Sequence, residues 1–300
     1  MQEPSIKFYD SEEVCEILQT ATVCLEQFSG RSGCTNHIPS TGQLLVTGDL
    51  HNNHTHLSKI IKLANLDIPT NHVVLQELIH SGGNTEEVDS SYQMLVRVAS
   101  LVNAYPAQVH PILANHELSQ VTGMEITKGS GELVERFTRS VQHVFGNKSG
   151  DVLNALNKFI MKMPLAVRSK SGVMCLHSLP DSYVMDQFDM TVLARKLLPL
   201  DLMSGVGSAH LMVWGRQHTP EQIEKLAEFW GVRLFCLGHA WVSEGIEMAM
   251  PKVLLINSDH GNGAVLPIQL DNIQSAGHTM QSAIKLSSVS INKIELKDVT

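Results

Sequence analysis

The chain has 300 residues, 43% of them hydrophobic, with 22 basic and 30 acidic side chains for a formal charge of −8. That length and apolar content suffice for one large core, and the acidic balance argues against a general nucleic-acid or anionic-membrane binder. No run approaches the roughly 18 apolar residues of a membrane span, the N-terminal Met-Gln-Glu-Pro-Ser lacks the basic and apolar regions of a signal peptide, and the five cysteines show no Cys-x-x-Cys spacing, so a cytoplasmic protein without a disulfide framework is expected.

Taken in order, Ser11 to Phe28 carries Val14, Ile17, Leu18, Ala21, Leu25 and Phe28 at the spacing of one helix face. Asp10, with Glu13 three residues on, is its start signal. Gly30 to Gly42 has no periodicity and reads as a loop. Leu44 to Thr47 reads as a buried strand, Leu57, Ile60, Ile61 and Ala64 as a helix stripe, and Val73 to Leu75 as a second strand, which together make a βαβ unit. A helix from Glu86 to Asn103 ends before Tyr105-Pro106, as a proline favours, and a strand at Val109 to Leu113 follows. Residues 118–163 read as a mostly helical insertion broken at Gly129 to Gly131 and Gly146 to Gly150. Strands are expected at Leu165 to Val167, Val173 to Leu176, Leu211 to Trp214, Leu234 to Leu237 and Val253 to Ile256. The chain therefore divides into an N-terminal helix and linker (1–43), one α/β domain (44–270) and a polar, irregular tail (271–300).

Potential metal ligands recur where these apolar runs stop. Leu44-Leu-Val-Thr-Gly-Asp-Leu-His51 ends in a carboxylate and an imidazole two residues apart, on one side of an extended chain. Glu77, Asn115 with His116, His177, and His239 end four later runs. Any one of these histidines alone is more simply structural, but five segments make coincidence the poorer account. Carboxylate, imidazole and amide donors without thiolates suit manganese, iron or zinc. Two neighbouring ions need a shared ligand, and Glu77 is the only acid at the tip of the second strand. His54 and His56 are expected to face solvent, and His260 is the nearest competitor to His239. Arg216, in Val213-Trp-Gly-Arg-Gln217, is a further candidate, because a planar guanidinium matches two oxygens of one anion. The alternative for it is stacking on Trp214 or pairing with a surface acid.

The order Gly-Asp-x-His, Asn-His-Glu and two separated histidines resembles the calcineurin-like metallophosphoesterases, and the spacing is closest to their phosphoprotein-phosphatase branch. Tyr105-Pro106, Cys175-Leu-His177 with Pro180 after it, and Pro220-Glu-x-Ile-Glu-Lys leading to Cys236-Leu-Gly-His239 resemble segments of that branch in the same order. The likeness runs from about Leu44 to Leu270. It implies two mixed β-sheets sandwiched between helices and two divalent ions. It further implies that Asp49 and His51 bind the first ion, Glu77 bridges, and Asn115, His177 and His239 bind the second. His116 becomes the general acid, for which an unperturbed imidazole pKa of about 6.5 is suitable. The substrate implied is a phosphorylated protein or a small phosphoester.

The departures from the family fall inside the site. Where the family has Gly-Asp-x-x-Asp-Arg-Gly, this chain has Gln76-Glu-Leu-Ile-His-Ser-Gly82. The bridging acid is longer by one methylene, about 1.5 Å, and is expected to rotate or shift the metals. Ser81 replaces an arginine that holds phosphate, and His80 replaces the aspartate that orients the catalytic histidine. Asn52 and Ala114 replace family glycines. A weakened relative that binds metal or a phosphorylated partner without turnover is the second reading of these losses.

Overall fold

The computed structural model describes residues 6–80, 89–124 and 131–291. Helix α1 (Ser11–Gln27) starts where Asp10 Oδ1 accepts the backbone N–H groups of Glu12 and Glu13. Strands β1 (Arg31–Ser32) and β2 (Thr35–Ile38) follow, then β3 (Gln43–Asp49), α2 (His54–Ala64) and β4 (His72–Gln76). Next come α3 (Tyr92–Ala104), β5 (Val109–Pro111), α4 (Asn115–Thr122), α5 (Gly131–Phe145) and α6 (Ser149–Lys162). After them lie β6 (Ala166–Ser169), β7 (Val173–Leu176), α7 (Ser208–Trp214), α8 (Pro220–Trp230) and β8 (Leu234–Leu237). The last elements are β9 (Ile246–Met250), β10 (Val253–Ile256), β11 (Ala264–Gln269), α9 (Ala276–Met280) and β12 (Ile284–Lys285). No helix among the described residues is long and apolar enough to cross a membrane.

The strands form two mixed sheets, one of seven in the order β1-β2-β6-β7-β8-β10-β9 and one of five in the order β12-β11-β3-β4-β5. In the smaller sheet β3, β4 and β5 are parallel and β11 runs against β3. Alternation along each strand divides the core into layers. Leu44 and Val46 of β3 join Val74, Val173, Cys175, Leu234, Cys236, Leu254 and Ile256 in one cluster drawn from both sheets, whereas Leu45, Val73 and Leu75 pack with the helices. Both faces of β3 and β4 are therefore buried, which is why their sequences are unbroken apolar runs. Cys175 and Cys236 are fully buried in this inter-sheet layer, as small core residues.

The two sheets meet at the carboxyl end of β3. Asp49 bridges in parallel to Asn257 after β10, and Ser258 N–H donates to the Asp49 carbonyl at 3.2 Å. A Cβ at Gly48 would lie 1.8 Å from the Ile256 carbonyl oxygen, so only glycine allows this approach.

Four expectations are corrected. Leu211 to Trp214 is not a strand but the end of helix α7, with Leu211, Met212 and Val213 all buried; a short, fully buried apolar run has no periodicity to separate helix from strand. Residues 30–42 are not loop throughout, since Thr35–Ile38 pairs in parallel with β6. The tail beyond 271 contributes α9 and β12, and β12 pairs with β11. The helix expected from Glu86 begins at Tyr92, with residues 86–88 outside the described residues.

Candidate metal centre

Each element end presents one piece of the site. Asp49 closes β3, Gln76 closes β4 with Glu77 directly after, Asn115 opens α4, and His177 and His239 follow β7 and β8. Parallel pairing of β3 with β4 and of β7 with β8 aligns these ends, and the contact between sheets brings the two groups together. Among the described residues, five of the six non-glycine residues with positive φ are His51 (41°), Asn52 (61°), Glu77 (45°), His80 (60°) and His239 (63°). Left-handed backbone costs about 1–3 kcal/mol at such residues and concentrates at functional sites. Asn52 tolerates that conformation in place of the family's glycine, while Ala114 is extended, where no glycine is needed.

Glu77 stands between two sets of imidazoles. Its Oε1 is 3.1 Å from His116 Nε2 and 3.7 Å from His51 Nε2, and its Oε2 is 3.0 Å from His177 Nε2. Asn115 Oδ1 lies 2.6 Å from His177 Nε2 and 3.2 Å from His239 Nδ1. Asp49 Oδ1 accepts the His239 backbone N–H at 2.9 Å and is 3.8 Å from His177 Nδ1. Two groups, His51 with Glu77 and His116, and Glu77 with His177 and His239, have ligand atoms within 4.8 Å of one another. All six residues expected to ligate therefore converge.

Outer residues hold these side chains in place. His51 Nδ1 lies 3.1 Å from the His80 carbonyl and 3.3 Å from that of Ile79, leaving Nε2 toward the site. Gln76 Oε1 faces His177 Nδ1 at 2.9 Å, and its Nε2 donates to the Thr47 carbonyl at 2.7 Å. Glu117 Oε1 accepts the N–H groups of Leu78 (2.7 Å) and Ile79 (3.3 Å), fixing the turn that carries Glu77. Gly238 is required because a Cβ there would be 2.5 Å from Asp49 Oδ1 and 2.6 Å from Gln76 Oε1. Sequence reasoning missed Gln76, Glu117 and Gly238 as parts of the site. Their proximity to Glu77, His116 and His239 in the chain was the available signal.

Charge is unevenly distributed here. Burial and the neighbouring Glu77 push Asp49 up to about 7, and the same two causes push Glu117 up to about 7. Burial opposes charging His51, but Glu77, Asp49 and Asp259 outweigh it and raise it to about 9. Glu77 itself stays well below the usual carboxylate range, because His177, His51 and His116 overcome its burial. Burial and His177 hold His239 neutral, as a ligand imidazole must be. His116 departs from the expectation of an ordinary imidazole: burial, against the pull of Glu77 and with the push of His51, His80 and His177, holds it down to about 4.

Oxygen acceptors from Asn115, Glu77, Gln76 and Asp49 all face His177, more acceptors than one imidazole has protons to satisfy. Such a surplus suits a divalent cation, and the carboxylate, imidazole and amide donors fit manganese, iron or zinc.

Other expectations resolve at the rim. Arg216 is exposed, and its backbone N–H and that of Gln217 both donate to Asp181 Oδ1 at 2.6 Å. Its charge is near enough to help lower the pKa of His239, after burial and His177. Trp214 stacks on His210 rather than on Arg216. Ser81 lies outside the described residues. His54 and His56 do not simply face solvent: His54 Nδ1 is 3.0 Å from Arg97 Nη1, and His56 Nδ1 is 2.6 Å from the Ser258 carbonyl. His260 Nε2 is engaged by the Val242 carbonyl at 3.0 Å and does not compete with His239.

No curated protein matches the sequence. Among solved structures the fold is similar to a protein serine/threonine phosphatase from Saccharomyces cerevisiae with similarity to human phosphatase PP5, at TM-score 0.64 and 13% identity over 92% of this chain and 88% of that one. It is also similar to the cold-active protein-tyrosine phosphatase of a psychrophilic Shewanella species, at TM-score 0.58 and 14% identity over 83% and 82%. The family described as calcineurin-like phosphoesterase matches residues 42–242. With that match over most of its length and two mixed sheets flanked by helices, the chain belongs to the calcineurin-like phosphoesterases.

Proposed function

We propose that this protein hydrolyses phosphate esters with two divalent ions, in the manner of a Ser/Thr-type phosphoprotein phosphatase. The observation that carries the reading is the position of Glu77, one carboxylate oxygen beside His116 and the other beside His177. Asp49 and His51 would hold one ion, Asn115, His177 and His239 the other, and Glu77 both. Manganese, iron or zinc fits this donor set. When bound, such ions supply Lewis acidity toward phosphoryl oxygens and make water a stronger acid.

The chain's own residues do the remaining work. The carbonyls on His51 Nδ1 and the Gln76 amide on His177 Nδ1 orient each ring so that Nε2 faces inward. His116 presents Nε2 to the same space, and from that atom it protonates the leaving alcohol. Held at about 4, it is neutral at pH 7, and the dianionic phosphate is the partner that favours its charged form. Arg216 supplies the clamp for phosphate oxygens. The substrate is a phosphorylated protein or a small phosphoester.

A weakened relative is the second reading, favoured by His116 Nδ1, which is buried without a hydrogen-bond partner among the described residues. Purified protein supplied with manganese is expected to bind two ions per chain and to turn over an aryl phosphate. Two ions without turnover would establish the second reading. No ion bound after supply of manganese, iron and zinc would overturn the hydrolytic reading and, of the second, leave only the binding of a phosphorylated partner.

A further inference from the structure

His80 stands where the family resemblance places an aspartate that orients the catalytic histidine, yet a carboxylate is present one side chain further away. His80 Nδ1 lies 3.0 Å from Asp89 Oδ2, with both side chains fully buried. Asp89 is itself fixed: its Oδ1 accepts the Ser91 N–H at 2.9 Å, and its own N–H donates to Ser140 Oγ at 2.9 Å. The His80 N–H donates to Ser91 Oγ at 3.1 Å, and Phe137 meets the His80 ring at 5.6 Å and 83°. On its other side the ring faces His116, with centroids 5.3 Å apart.

Two orphaned atoms lie on these rings. His80 Nε2 and His116 Nδ1 are buried and lack hydrogen-bond partners among the described residues. The rings are close enough for one N–H···N bond, about 2.9 Å between nitrogens plus roughly 1.1 Å from each nitrogen to its ring centre, but at an interplanar angle of 49° the two nitrogens are not bonded. A bond between them needs one ring to turn and one nitrogen to carry a proton. Asp89 accepts from His80 and keeps the proton on Nδ1, so His80 Nε2 is a bare acceptor. His116 Nε2 lies 3.1 Å from Glu77 Oε1, and a proton held on that side leaves His116 Nδ1 bare as well.

We propose that Asp89 and His80 act together as positioning residues for His116. Once Glu77 no longer takes the proton on His116 Nε2, that proton moves to Nδ1, where it is donated to His80 Nε2. His116 is then held with Nε2 toward the substrate, where it takes up a second proton beside the dianionic phosphate and, as imidazolium, passes that proton to the leaving alcohol. The arrangement is a carboxylate–imidazole–imidazole chain in which His80 is inserted between the acid and the proton donor.

This inference rests on the reading of His116 as the proton donor, and its test has a readout that needs no turnover. The probe is zinc-loaded protein with 15N-labelled histidine, the His116 signals being assigned by difference from His116→Asn. His116 is expected as the Nδ1–H tautomer in the unsubstituted protein and in His80→Gln, whose Oε1 can accept where Nε2 did. His80→Leu should lose it. So should Asp89→Asn, a near-isosteric change whose amide can donate to His80 Nδ1 and reverse the chain. With an alkyl phosphate, His80→Leu and Asp89→Asn are expected to lower kcat by roughly tenfold to a hundredfold, with KM and zinc content little changed and His80→Gln recovering most of the loss. If His80→Leu does not fold, the Asp89→Asn spectrum decides alone. An unchanged His116 tautomer in Asp89→Asn overturns the proposal. The expected tautomers without turnover in the unsubstituted protein would support it and overturn the enzymatic reading instead.

Discussion

Oε2 of Glu77 lies 3.0 Å from Nε2 of His177 while the other oxygen of the same carboxylate is 3.1 Å from His116 Nε2. The residue that carries the extra methylene has a left-handed backbone, φ 45°, and one carboxylate oxygen stands beside each imidazole. Shortening the arm by about 1.5 Å would withdraw at least one. Glu77→Asp is therefore expected to weaken metal binding by at least about tenfold, the lower end of the cost of disturbing even an outer partner of a ligand. Titration with zinc or manganese checks this, and a tighter site in the aspartate variant would mean the longer acid is a misfit.

Gly238 offers a test that leaves every ligand in place. A Cβ there would lie 2.5 Å from Asp49 Oδ1 and 2.6 Å from Gln76 Oε1. Asp49 and Gln76 are buried and fixed by the His239 N–H and the Thr47 carbonyl, so neither can move cheaply. Gly238→Ala should cost roughly 1–3 kcal/mol as an overpacked core does, and it should lower metal content with stability. Thermal melting and metal analysis together check it. A variant that melts like the parent with full metal would show that the two side chains yield freely.

Much of this site was legible because strands and ligands share a rule: an apolar run ends at the sheet edge, and polar residues just beyond it point into one cleft. Asp49, Glu77, His177 and His239 all obey it. Leu211 to Trp214 misled because three buried residues in succession, Leu211, Met212 and Val213, remove the alternation that marks a strand and the stripe that marks a helix. Asp89 was illegible for another reason. It sits nine residues beyond His80 in sequence, and where it meets His80 it is also hydrogen-bonded to Ser91 and Ser140. The depressed pKa of His116 arises first from burial and then from three other imidazoles brought in by the fold, which no local motif encodes.

The buried pair His72 and His110 predicts acid sensitivity away from the site. Their rings stack at 5.4 Å, with His72 Nδ1 3.2 Å from His110 Nε2. Burial, reinforced by His72, holds His110 down to about 3, against about 6.5 in an unfolded chain. Between those values the unfolded chain binds a proton that the folded one refuses. The contribution is therefore intact above pH 6.5 and is lost as pH falls toward 3, to a total on the order of a few kcal/mol. Urea midpoints are expected to fall between pH 7 and pH 4.5, and His110→Gln should flatten that dependence while lowering stability at pH 7. Equal slopes in both proteins would place the acid sensitivity elsewhere.

His116 decides between proton donor and ligand. It groups with His51 and Glu77 closely enough to share an ion, yet it follows Asn115 directly, and its Nε2 meets the Glu77 oxygen on the His51 side of the site. If it donates the proton, His116→Asn should leave metal content nearly intact. Turnover of an alkyl phosphate should then fall by about 10² to 10⁴-fold, the usual worth of general acid catalysis. An aryl phosphate, whose leaving group needs less protonation, should lose less. Because burial holds the free imidazole at about 4, the kcat profile should show a limb at higher pH than that, set by the imidazolium beside bound phosphate. Equal losses for both substrates, or metal lost together with activity, would make His116 a ligand and return the proton to another group.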